Sequence, residues 1–69
     1  MIQVGDKYEV YYGPKNPNNI KKLHVLAVVD EDVIVYKLWN KYRKRWIYKV
    51  DAIGYLDYLL ELGDMFPKV

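Results

Sequence analysis

Serine, threonine and cysteine are absent from this 69-residue chain, and histidine occurs once, as His24. Ser, Thr and Cys nucleophiles, and the triads built on them, are thereby excluded. So are disulfides, thiolate metal ligation and any multi-histidine metal site. Catalysis would have to rest on carboxylates, lysines or tyrosines. Glycine is also sparse: Gly5, Gly13, Gly54 and Gly63 lie far apart, so no glycine-rich phosphate loop exists. Asp57 and Glu61 can share a helix face, but without a pocket they are ordinary surface carboxylates. The acidic run Asp30-Glu31-Asp32 lacks the alternating ligands and the glycine of a calcium loop, which makes it a solvated turn. The expectation is a protein with no enzymatic activity, no cofactor and no bound metal.

Long apolar runs are missing too. No stretch reaches the roughly 18 residues needed to span a membrane. The N-terminal MIQVGDKYEV lacks a basic segment followed by an apolar one, so it does not read as a secretory signal. A cytoplasmic setting without a membrane partner is expected.

The chain is rich in aromatic residues: eight Tyr, two Trp and one Phe. A domain this small buries only about 60% of the surface exposed by its unfolded chain, so its core is marginal. Each aromatic ring buries roughly 150–250 Å² and offsets that shortage. At 52% hydrophobic and 29% charged, the chain is too apolar for disorder, and it forms one domain over residues 1–69.

Strand formers at 7–12 give a first strand. Gly13-Pro14-Lys15-Asn16-Pro17-Asn18-Asn19 reads as an irregular surface loop over 13–21. Further strands follow at 22–29, 33–39 and 45–50, joined by turns at Asp30–Asp32 and Asn40–Lys44. Connections this short make the last three an antiparallel meander. Along 33–39, Lys37 marks the Val35, Lys37 and Trp39 face as the wetter one. Along 45–50, the same rule applied to Lys49 turns Trp46, Tyr48 and Val50 inward. Trp39 is then the exposed aromatic and Trp46 the core anchor, although a single bulge inverts such assignments.

After Val50 the period changes. Asp51 is placed to cap a helix over 52–62 whose apolar face is Ala52, Ile53, Leu56, Leu59 and Leu60. Asp57, Tyr58 and Glu61 lie opposite. Gly63 is placed to end the helix in a left-handed conformation. Gly54 within it suggests a close approach to the sheet. Residues 65–69 are either a short closing strand or a loose end. The fold class is mainly β with one C-terminal helix (α+β). It is either a small SH3-like, partly open barrel or a curved sheet of four to five antiparallel strands capped by the helix.

Charge is unevenly distributed. The net charge is only +2, yet Lys37 to Lys49 (KLWNKYRKRWIYK) holds six of the eleven basic residues, four aromatics and no acid. Functionally, Lys41, Arg43, Lys44 and Arg45 would grip phosphates from a hairpin tip, while Trp39 or Tyr42 stacks on a base and Lys37 flanks them. Structurally, the same pattern suits an aromatic-cored hairpin with a solubilising turn. Tyr8, Tyr11, Tyr12, Tyr55 and Tyr58 divide similarly between core positions and an interface patch. His24, alone in a strand, reads as a partly buried residue.

The stretch from Val33 to Val50 resembles small uncharacterised proteins encoded by bacteriophages. The similarity lies in a Tyr36-x-x-Trp39 strand, a short basic turn, Trp46-x-Tyr48, the loop GPKNPNN and the helix AIGYLDYLLELG. The resemblance implies an SH3-like barrel, a phage origin, the host cytoplasm and a non-enzymatic role such as capture of a host protein. It carries no catalytic residue. The leading expectation is nucleic-acid binding through the basic–aromatic hairpin. The alternatives are an inhibitor or adaptor that presents the same cations to an acidic host protein, and self-association as a homodimer.

Overall fold

A computed structural model describes residues 2–68. Strand β1 (Lys7–Tyr11) is followed by a loop containing a 3₁₀ turn (Pro17–Asn19), then β2 (Ile20–Val29), β3 (Val33–Asn40) and β4 (Arg45–Ala52). Helix α1 (Ile53–Leu62) and a short β5 (Met65–Pro67) complete the chain. The strands form one antiparallel sheet in the order β4-β3-β2-β1-β5. Strands β4 and β5 lie at opposite edges and do not pair, so the sheet is open rather than a closed barrel. The meander is as expected, and the tail forms the closing strand, paired with β1.

Strand β2 begins before the expected Lys22, because Ile20 and Lys21 pair with Tyr11 and Val10. The preceding loop is held by side chains: Asn16 accepts from the Asn18 N–H at 2.9 Å, and Asn19 Nδ2 donates to the Pro14 carbonyl at 2.7 Å. In the β2–β3 turn the Asp32 N–H donates to the Val29 carbonyl, and Asp30 and Glu31 both take positive φ. That is the mirror-image turn whose twist suits a hairpin, built here without glycine.

One face of the sheet carries the core. Tyr8, Val10, Leu23, Val25, Ile34, Tyr36 and Leu38 are buried there with Ile2, Leu56 and Met65. A bulge at Leu26 shifts the β2–β3 register, so buried positions pass from Leu23 and Val25 to the partly buried Val28. Helix α1 covers this face with Leu56, while Ile53, Leu59 and Leu60 pack against the core and Asp57, Tyr58 and Glu61 are exposed. Gly63 ends the helix at φ 78°, its N–H donating to the Leu60 carbonyl, as its position predicts. Ala52, expected on the apolar face, is exposed.

Two features of the helix differ from expectation. Asp51 does not cap it. Asp51 belongs to β4, and its carboxylate accepts a hydrogen bond from the Tyr36 hydroxyl, while the N-cap residue is Ala52, which has no capping side chain. Nor does Gly54 mark a close approach to the sheet, since a Cβ there would meet nothing within 4 Å. A ten-residue helix is about 15 Å long, whereas an eight-residue strand runs about 27 Å. The helix therefore covers only part of one side of the sheet; the rest of that side and the opposite side stay open around the β3–β4 hairpin.

Candidate functional site

The first open surface is the side of the sheet away from α1. In the antiparallel register Lys7, His24, Lys37 and Tyr48 form one row across β1 to β4, and Trp39 pairs with Trp46 in the next row of the β3–β4 hairpin. Directly opposed residues point to the same side. Trp39 meets Trp46 edge-on at 5.3 Å between ring centroids, and His24 lies 4.7 Å from Trp46. The Lys37 ammonium sits 4.3 Å from the centre of the Trp46 ring. Tyr48 is 66% exposed and Tyr42, at the hairpin tip, 83%.

This geometry corrects the expected facing of β4. Trp46, Tyr48 and Val50 point outward with Lys37 and Trp39, and Ile47, Lys49 and Asp51 point to the helix side. Lys49 misleads because β4 is an edge strand. Its side chain runs along the inner side, beyond the cover of the helix, and its ammonium donates to the Tyr12 hydroxyl at 3.4 Å. Trp46 is thus no core anchor, and Trp39, half-buried against it, is less exposed than Tyr42 or Tyr48.

The aromatic side is electropositive. The His24 pKa is lowered, first by burial and then by the positive charges of Lys7, Lys37, Lys68 and Lys22. Glu9, paired with Lys22, supplies a carboxylate to this face. Among the described residues the one carboxylate–ammonium ion pair is Lys15 with Asp64 at 2.9 Å, remote in sequence from the hairpin.

The hairpin tip is shaped by Asn40, whose side-chain oxygen accepts from the N–H groups of Tyr42 and Arg43 at 3.0 and 3.1 Å. Lys44 takes φ 52°, closing the turn. Lys41 donates to the Asn18 carbonyl at 2.9 Å, which ties the tip to the Pro/Asn loop. The sequence-predicted residues therefore separate. Lys37 and Trp39 lie on the aromatic face; Lys41, Tyr42, Arg43 and Lys44 occupy the tip. Arg45, paired with Asn40, follows the register of the helix side. Sequence reasoning missed His24, Trp46 and Tyr48 as surface groups. The signal for them was the register: four turn residues (41–44) oppose Trp39 to Trp46 and fix every facing beyond.

Tyr36 and Tyr8 have structural partners rather than functional ones. Both phenol pKa values are raised, chiefly by burial and then by hydrogen bonds to Asp51 and Asp6 respectively. Of the interface tyrosines considered from sequence, Tyr8 is buried and Tyr11 half-buried against Phe66, with Tyr12, Tyr55 and Tyr58 exposed. No helix among the described residues is long and apolar enough to cross a membrane.

Set against known proteins, the chain matches no family model, no curated protein and no solved structure.

Proposed function

We propose that this chain is a non-enzymatic module that binds single-stranded nucleic acid across its uncovered sheet face. The observation that carries this reading is one cluster of contacts: His24, Trp46 and Trp39 in ring contact, with Lys37 over the Trp46 ring. Unpaired bases stack on exposed rings regardless of sequence, and neighbouring cations hold the intervening phosphates. A duplex hides its base faces, which favours the single strand. Lys7, Lys22, Lys37 and Lys68 supply the charge, with Lys41 and Lys44 extending it towards the tip. Tyr42 and Tyr48 offer further rings.

Both tryptophans of the chain lie on this face, so intrinsic fluorescence reports directly on stacking. Titration with a short single-stranded oligonucleotide is expected to quench it, and Trp46→Ala with Lys37→Ala to abolish the effect. Absence of quenching at low salt overturns the proposal. If, in addition, nuclease-treated pull-downs retain one stoichiometric protein, the same cations serve an acidic protein partner instead.

A further inference from the structure

The second open surface lies on the other side of the β3–β4 hairpin, beyond the end of the helix. It is a cleft of about 320 Å³. Leu38 and Ile47, a directly paired couple, make an apolar floor. Lys21 from β2, Arg43 from the tip and Lys49 from β4 bring three cations to its walls, and among the described residues no carboxylate lines it. Tyr12 and Asn40 complete the lining.

Among the described residues these cations have no anionic partner. The Lys21 ammonium rests 4.3 Å from the centre of the Tyr12 ring and that of Lys49 5.7 Å from it. Two positive charges thus share one neutral ring, a geometry that a bound anion relieves. The walls are also preset. Asn40 fixes the tip through two backbone N–H groups, and Lys41 ties it to the loop carrying Asn18. A concave, cation-walled site raises the local concentration of anions. Its volume falls at the lower end of the roughly 300–1,000 Å³ typical of small-ligand sites, more than a bare oxyanion fills. The apolar floor calls for an organic body attached to the anion.

We infer that this cleft is a binding site for a phosphate monoester on an organic group of nucleotide size. The three cations would hold the phosphate, and the attached group would lie on Leu38 and Ile47. The chemistry is shared by a free mononucleotide and by the phosphorylated end of an oligonucleotide. The cleft faces away from the aromatic surface, and the inference stands whatever that surface binds.

The test is a titration of the intact protein followed by backbone amide NMR. Adenosine 5′-monophosphate is expected to shift the Lys21, Asn40, Arg43 and Lys49 resonances at up to millimolar concentration. Lys21→Gln and Lys49→Gln, each checked for unchanged folding by circular dichroism, are each expected to weaken binding about tenfold, the lower end for a lost hydrogen bond to a charged group. Adenosine binding as well as its monophosphate would overturn the inference, as would inorganic phosphate binding equally tightly or no shift at these residues. A comparison of 5′-phosphorylated with 5′-hydroxyl hexanucleotides then identifies the source. A preference that Lys49→Gln removes indicates a strand end, and its absence beside monophosphate binding indicates the free nucleotide. Tryptophan quenching is read in the same samples, so failure of the cleft and failure of the aromatic face give separate signals.

Discussion

With its indole half-buried between Trp39, His24 and the Lys37 ammonium, Trp46 should lose far less stability on truncation than a core aromatic. Burial-dependent truncations of Phe or Trp typically cost about 3–5 kcal/mol. For Trp46→Ala we expect about 1 kcal/mol from urea denaturation, because the lost contacts are surface ring pairs. Leu56→Ala, at 1% exposure, should cost about 2–5 kcal/mol. Equal losses for the two would contradict the outward facing of β4. His24 carries a second residue-scale test. Its folded pKa lies below the ordinary 6.5, because burial and the surrounding lysines disfavour the imidazolium. The unfolded chain then binds the proton more readily. Stability contributed by this group is full above about pH 6.5 and is lost as pH falls below it, towards the folded pKa. A nucleic-acid phosphate on the face should reverse the sign of its surroundings and raise the His24 pKa. Imidazole proton shifts followed by NMR should show that rise on adding oligonucleotide, with affinity increasing as pH falls through this range. An unchanged His24 titration would place the ligand elsewhere.

At the scale of elements, the turns and the helix start leave stabilisation unused. Asp30 and Glu31 adopt φ 51° and 62°, which cost an L side chain roughly 1–2 kcal/mol each. Glycine relieves that cost but loses more entropy on folding, so Glu31→Gly should stabilise by about 0.5–1 kcal/mol net. A fall in the denaturation midpoint would mean that the turn is not mirror-image in solution. Ala52, the N-cap of helix α1, has extended backbone (φ −66°, ψ 139°) and no capping side chain. Ala52→Ser should therefore add about 0.5–2 kcal/mol, checked in the same way. Much of this level could be read directly. The Pro/Asn loop, the meander, the helix and the Gly63 stop follow from local turn chemistry and from the change of period after Val50. Asp51 was misread because a carboxylate just ahead of an apolar helix looks like a cap. In the fold β4 runs on to Ala52, and the buried Tyr36 hydroxyl takes that carboxylate instead.

The whole molecule is close to neutral, yet its cations gather around one hairpin while an acidic turn and the exposed carboxylates of α1 lie elsewhere. Binding to the aromatic face should thus be strongly salt-dependent. If about three to four phosphates of a single strand are neutralised, log K should fall against log salt with a slope of about −2 to −3. A slope near zero would remove the electrostatic part of the proposal. Composition and spacing determined the first four strands and the helix, the exclusion of serine, threonine, cysteine and polyhistidine chemistry, and the basic–aromatic concentration between Lys37 and Lys49. These are local properties, fixed by backbone preference and residue type. Tertiary structure alone decided which side of the sheet each ring and cation occupies. That choice depends on pairing Trp39 with Trp46 and on the extra residue at Leu26. Side chains alternate at every residue along a strand, so a one-residue difference in register exchanges the inner and outer sets. The segment thus became two opposed surfaces, an aromatic face and a cationic cleft, because pairing between distant residues sets the register and no local preference specifies it.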